Sequence, residues 1–138
     1  MVIHLKDSTN VISDAKSVWK ICKDLLEAED AVDRDKEHFW VFHLDSRNKI
    51  KFLELVSLGI LNSSIVHPRE VFTRAVGERS AQVIITHNHP SGDPKPSEDD
   101  IAVTKRLAKA GEILGIELLD HIVITKAAFT SFREKSLM

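Results

Sequence analysis

His87 and His89 stand one residue apart at the end of the apolar run 81–86, and Asp100 follows them across a short loop. In an extended chain, residues i and i+2 point to the same side, so the two imidazoles can meet at one point. Residues 90–96 hold three prolines and a glycine, which make a stiff turn rather than a floppy tether. Ser97 then reads as a helix N-cap, and Asp100 falls in the first helical turn, able to face back toward the histidines. Two imidazoles and one carboxylate leave a fourth tetrahedral position open, which is the pattern of a catalytic zinc site. Each part alone has an ordinary reading. A histidine on a strand is commonly structural, and Ser97-Glu98-Asp99-Asp100 is a normal helix start, with a cap and acids favoured by the helix dipole. The metal reading comes from their combination at a strand-to-helix junction.

The elements that must position these residues follow from periodicity. Val2-Ile3-His4-Leu5 is weakly patterned and fits a short edge strand. Ser13 caps a helix of about 16 residues whose apolar face is Ala15, Val18, Trp19, Cys22, Leu25 and Leu26. The polar segment 27–36 is a loop. Residues 37–44 and 50–58 are strands joined by the turn 45–49, a hairpin, with Gly59 breaking the second. Residues 61–66 fit a short additional strand. Pro68 takes the N1 position of a helix that buries Val71, Phe72, Ala75 and Val76 and ends at Gly77. Residues 81–86 read as a strand buried on both faces in mid-sheet. Helix 98–114 turns Ile101, Thr104, Ala108, Gly111 and Leu114 inward and stops at Gly115. Residues 116–125 form a further strand, and Phe129 and Phe132 belong to a short element packed on the core. The order predicts an α+β fold with a mixed β-sheet flanked by helices.

Composition bounds the partners. A chain of 138 residues, 43% hydrophobic and 29% charged, has room for one core, so a single domain over residues 1–138 is expected, its core spanning about 13–132. Nineteen basic and twenty-one acidic residues leave a net charge of −2, with no basic tail to hold a nucleic acid. The single cysteine, Cys22, excludes an internal disulfide and any cysteine-based zinc site, and it suits a reducing, cytoplasmic location. No apolar run of about 18 residues or signal peptide is evident, so a membrane partner is not expected.

His87-Asn88-His89, seven residues, then Ser97-Glu98-Asp99-Asp100 resembles the JAMM (MPN+) metalloprotease signature. His89-Pro90-Ser91-Gly92, Pro96-Ser97, Pro68-Arg69-Glu70-Val71 and Leu119-Asp120-His121-Ile122-Val123 resemble the RadC-like branch of that superfamily. The likeness runs from Glu37 to the C-terminus and departs from full-length RadC proteins in lacking their N-terminal helix-hairpin-helix region. It implies the JAMM/MPN (cytidine-deaminase-like) fold and a zinc-dependent hydrolase, a peptidase or isopeptidase acting on a peptide or protein substrate. It implies zinc held by His87, His89 and Asp100, a Ser97 hydroxyl that stabilises the oxyanion, and an upstream glutamate as general base. Glu37, immediately before the apolar run 39–44, fits that glutamate best. Glu54 lies in mid-strand, and Glu70 is explained as an acid in a helix's first turn.

The remaining histidines and the alternative functions have their own readings. His67 is read as capping the helix that Pro68 begins, and His4, His38 and His43 have no partner in the pattern. His121 is read first as a structural histidine and second, with Asp120, as a pair orienting a ligand. The fold also serves as a binding module where the ligand residues are missing, but here the whole set is present. A DNA-repair role is disfavoured by the charge. A nucleobase deaminase needs a Pro-Cys-x-x-Cys half-site that Cys22 cannot supply. The literal string His87-Asn88-His89 is not an HNH nuclease, whose three residues are dispersed along the chain.

Overall fold

The computed structural model describes residues 1–4, 11–59 and 66–138. The elements in order are β1 (Val2–Ile3), α1 (Ala15–Glu27), α2 (Ala31–Arg34), β2 (Glu37–Leu44), β3 (Ile50–Gly59) and α3 (Pro68–Gly77). They continue with β4 (Gln82–Asn88), α4 (Glu98–Leu114), β5 (Glu117–Ile124) and β6 (Phe129–Ser131). They form one mixed six-stranded sheet in the order β1-β3-β2-β4-β5-β6. Among the described strands only the β4–β5 pair is parallel, and α4 makes the crossover that this pairing requires. The architecture is the α+β layered fold expected from the element order.

The two parities of each central strand explain the layers. Trp40, Phe42 and Leu44 of β2 and Ile84 of β4 face a core closed by Ala15, Val18 and Cys22 of α1. Phe39 and Val41 of β2 and Val83 and Ile85 of β4 face the other core, closed by Val71, Phe72 and Ala75 of α3 and Val103 and Leu107 of α4. Burial on both faces is why β2 and β4 read as continuous apolar runs. His87 shares the parity of Val83 and Ile85, so it emerges on the α4 side of the sheet, where Asp100 arrives.

Several boundaries differ from expectation. α1 spans 13 residues and is capped by Asp14, whose carboxylate accepts the Ser17 N–H at 2.9 Å, so Ser13 is not the cap. A carboxylate outcompetes the hydroxyl one residue earlier because it lies at the right distance from N3. Segment 27–36 is not all loop: Asp30 caps the single turn α2 by accepting the Asp33 N–H at 2.8 Å. Val76 is 55% exposed and Leu114 48%, while Ile101 is only half-buried. The inward stripe of α4 is Asp100, Val103, Thr104, Leu107 and Gly111. Its phase is set by the buried carboxylate at its start and the bare glycine near its end. His67 occupies the N-cap position of α3 but makes no side-chain cap bond. Val2–Ile3 is the expected edge strand, and the additional strand expected at 61–66 falls almost wholly outside the described residues. Among the described residues, no helix is long and apolar enough to cross a membrane.

α4 ends at Gly115, whose φ of 73° is in the left-handed region. The Ile116 N–H returns to the Gly111 carbonyl at 2.9 Å, closing the end in the Schellman manner. A Cβ on Gly111 would run into the backbone carbonyl oxygen of Ile116 and lie 3.2 Å from Phe72 Cζ. Gly111→Ala is therefore predicted to destabilise the fold by roughly 1–3 kcal/mol despite alanine's better helix propensity. Urea unfolding checks this, and an unchanged or raised midpoint would contradict the close approach.

Candidate metal centre

β4 delivers His87 as its penultimate residue, opposite Phe39 of β2 and Val123 of β5. His89 follows just past the strand end, with its backbone N–H on the Ile124 carbonyl at 2.9 Å. Across the loop, Ser97 and Asp100 form a capping box. Asp100 N–H donates to Ser97 Oγ at 3.1 Å, and Ser97 N–H donates to Asp100 Oδ2 at 2.8 Å. That reciprocal bond turns the Asp100 carboxylate back toward β4. His87 Nε2 lies 2.9 Å from Asp100 Oδ1, His89 Nε2 3.1 Å from Asp100 Oδ2, and the two Nε2 atoms are 3.0 Å apart.

The donor set fits a cation. One ligand atom from each of His87, His89 and Asp100 lies within 4.8 Å of the others, so the three could hold a metal ion. Both imidazoles aim Nε2 inward because their Nδ1 atoms are engaged elsewhere, His87 with His121 Nε2 at 2.8 Å and His89 with the Asp93 carbonyl at 2.9 Å. Histidine ligands are ordinarily held in this way. Burial pushes the Asp100 carboxyl up, but hydrogen bonds from His87 and His89 win and hold it well below the usual carboxylate range. His89 is raised, first by its bond to Asp100 and against its own partial burial. The cluster thus draws positive charge to a buried anion. Burial holds His121 well below the ordinary imidazole range, and the neighbouring His87 adds to that.

These residues open on a cleft of about 670 Å³, whose walls also carry Asp35, Lys36, Glu37, Ser97 and Asp99. Glu37, the first residue of β2, and Ser97 therefore share one space with His87, His89 and Asp100. Glu54 and Glu70 do not line it. Glu54 is engaged by His43 Nε2 at 3.2 Å and Arg74 Nε at 3.0 Å, and Glu70 lies in the first turn of α3.

The residues that hold the others are ones to which the sequence gives no role, as with Asn88, or a ligand-orienting role only as a second reading, as with His121. Asn88, the middle residue of the histidine pair, points to the opposite face and clamps the start of β2. Its Oδ1 accepts the His38 N–H at 2.5 Å and its Nδ2 donates to the Lys36 carbonyl at 3.0 Å. These are the two peptide groups flanking Glu37, beyond the last β2–β4 backbone pair at Phe39 and His87. Asp120 and His121 are not a pair directed at one ligand. His121 faces His87, while Asp120 ties down β6 and the residues after it through Ser131 Oγ at 2.5 Å and the Arg133 N–H at 3.0 Å. His38 and His43, given no role in the pattern, are fully buried and bonded, His38 to Glu29 and the Lys36 carbonyl, His43 to Ser80 and Glu54. Strand alternation could have separated Asn88 from its neighbours. Finding His121 needed the β4–β5 register, which no local pattern encodes.

Residues 12–137 match the family model described as RadC-like JAB domain. A UPF0758 protein of Desulforamulus reducens is 51% identical over 113 residues, covering 82% of this chain and 50% of that protein. A UPF0758 protein of Methanococcoides burtonii is 54% identical over 100 residues, covering 72% of this chain and 44% of that protein. The chain spans about half the length of the curated relatives it matches.

The clamp generates a prediction. Asn88→Ala leaves the buried His38 N–H without its side-chain partner and takes from the Lys36 carbonyl one of its two side-chain contacts, the other being His38 Nδ1, and is predicted to cost roughly 1–3 kcal/mol. Asn88→Asp keeps the acceptor but sets a carboxylate oxygen against the Lys36 carbonyl in a buried place, so its unfolding midpoint should fall at least as far as that of Asn88→Ala. Equal midpoints for all three proteins would show that the clamp carries no load.

Proposed function

The chain belongs to the family of RadC-like JAB domains, and on that footing we propose that it is a zinc-dependent hydrolase that cleaves peptide or isopeptide bonds. The supporting observation is the meeting of His87, His89 and Asp100 at the head of a cleft that Glu37 and Ser97 also line. His87, His89 and Asp100 would hold the zinc, an assignment that suits borderline nitrogen and oxygen donors. When bound, zinc would supply Lewis acidity and lower the pKa of a water from about 15.7 to about 7.

The chain's own residues do the rest. The Glu37 carboxylate takes the proton of the attacking water and passes it to the leaving nitrogen. It is not a ligand, because a fourth protein donor would close the position the water needs. Ser97 Oγ uses a lone pair to accept the Asp100 N–H, so its own O–H proton is available to donate to the oxyanion of the tetrahedral intermediate. The rim that carries Asp35, Glu37 and Asp99 against Lys36 suits a polypeptide better than a phosphate backbone. Direct nucleic-acid binding is therefore not part of the proposal. A cytoplasmic setting is, supported by the lone, fully buried Cys22, whose thiol burial pushes well up and keeps unreactive.

The test is turnover on a library of peptide and isopeptide bonds by zinc-loaded protein, with and without a chelator. Cleavage should require the metal. Glu37→Gln should keep zinc and fold while turnover falls by about 10²-fold or more, whereas Glu54→Gln and Glu70→Gln stay near wild type. Ser97→Ala should lose roughly 0.5–2 kcal/mol of stability as a cap and about 10²-fold in turnover as an oxyanion donor. Zinc-loaded protein that cleaves nothing in such a library would overturn the hydrolase reading.

A further inference from the structure

His87 and Asp100 come from different elements, β4 and α4, yet a second connection joins them behind the site. Thr104, one turn along α4 from Asp100, places Oγ1 at 2.7 Å from the Asp100 carbonyl oxygen and at 2.5 Å from His121 Nδ1. His121 Nε2 in turn lies 2.8 Å from His87 Nδ1. Thr104 is 2% exposed, His121 0% and His87 1%, so no solvent supplies or removes a proton along this row.

Counting protons fixes its direction. A hydroxyl has one hydrogen, and a carbonyl oxygen can only accept, so the Thr104 proton goes to the Asp100 carbonyl. Thr104 Oγ1 must then accept from His121 Nδ1–H. The fully buried His121 bonds through Nδ1 to the Thr104 hydroxyl and through Nε2 to the His87 ring, with no carboxylate on either nitrogen to hold a second proton, so Nε2 accepts and His87 donates from Nδ1. With Nδ1 keeping its proton in that bond, Nε2, the atom facing Asp100 and His89, is the nitrogen from which a bound metal would displace a proton. We propose that Thr104 and His121 are positioning residues that hold a proton on His87 Nδ1, so that Nε2 is the nitrogen left to bind a metal. The row begins at the backbone of Asp100 and returns to its side chain, so one ligand's helix dictates the proton position of another ligand. A neutral acceptor behind His87 also adds no negative charge to the site, unlike the carboxylate that often fills that role. This inference rests on the metal-site reading but not on hydrolysis.

A buried threonine that bonds back to its i−4 carbonyl is common in helices and by itself implies nothing about metal. The two roles separate on metal affinity. Zinc affinity, measured by competition with a chromogenic chelator, should stay within a few-fold of wild type in Thr104→Ser, which keeps the hydroxyl. In the near-isosteric Thr104→Val it should fall on the order of 10- to 100-fold, and His121→Phe should lose at least as much. Long-range proton–nitrogen spectra of the metal-free wild type should show His121 protonated at Nδ1 and not at Nε2. Thr104→Val with wild-type affinity, or His121 carrying its proton on Nε2, would overturn the proposal. Wild-type protein that takes up no zinc would refute the metal reading, and the spectra would still decide the tautomer.

Discussion

The Asp100 carboxylate is 5% exposed and ionised, a combination that is costly unless every side of the group is answered. It is answered from two sides. The Ser97 N–H and the N-terminal end of α4 face it from its own helix, and the imidazoles of His87 and His89 face it from β4. The phase of α4 follows from this arrangement. Once Asp100 points inward, Val103, Thr104, Leu107 and Gly111 must follow, and Ile101 is turned partly away. The close approach of Gly111 to Ile116 then anchors the far end of the helix. A site that binds an anion's counter-charge and a helix that packs on a sheet are here one geometric requirement.

The location of the cleft has a simple topological cause. β4 and β5 are the parallel pair, and the chain leaves the C-terminal end of β4 to enter the crossover helix. Crevices at the carboxyl ends of such strands are where side chains of strand end, loop and helix start meet. β2 runs antiparallel to β4, so its beginning lies beside the end of β4, and Glu37 comes to the same crevice. Backbone pairing ends at Phe39, and the Asn88 amide extends it in side-chain form to the peptides around Glu37. His87 and the candidate base are thus held on adjacent central strands of the sheet.

Much of this is legible in the sequence. The hairpin 37–59, the buried strand ending in two histidines, the capped helix and its Gly115 stop all carry local signals: alternation, continuous apolar runs, a cap residue and a left-handed glycine. The convergence of His87, His89 and Asp100 was readable because strand parity and a capping box each fix a direction within a few residues. What escaped was set by longer-range contacts. Asp14 rather than Ser13 caps α1, and Asp30 starts a single turn inside a polar stretch, because adjacent acids and hydroxyls compete on equal local terms. Ile101 and Leu114 look like core residues by type, but the phase of α4 is decided by its ends. The roles of Asn88 and His121 depend on which strand lies beside which and in what register, and that is decided by the assembled sheet.

The central claim is that two imidazole nitrogens and one carboxylate oxygen hold a metal with a position left for water. X-ray absorption at the zinc edge of the purified, zinc-loaded protein tests it most directly. The expected spectrum is that of a low-coordinate site with nitrogen and oxygen neighbours at about 2.0–2.2 Å, an imidazole scattering pattern worth two histidines, and no sulfur. A sulfur shell near about 2.3 Å, or a spectrum without imidazole scattering, would contradict it.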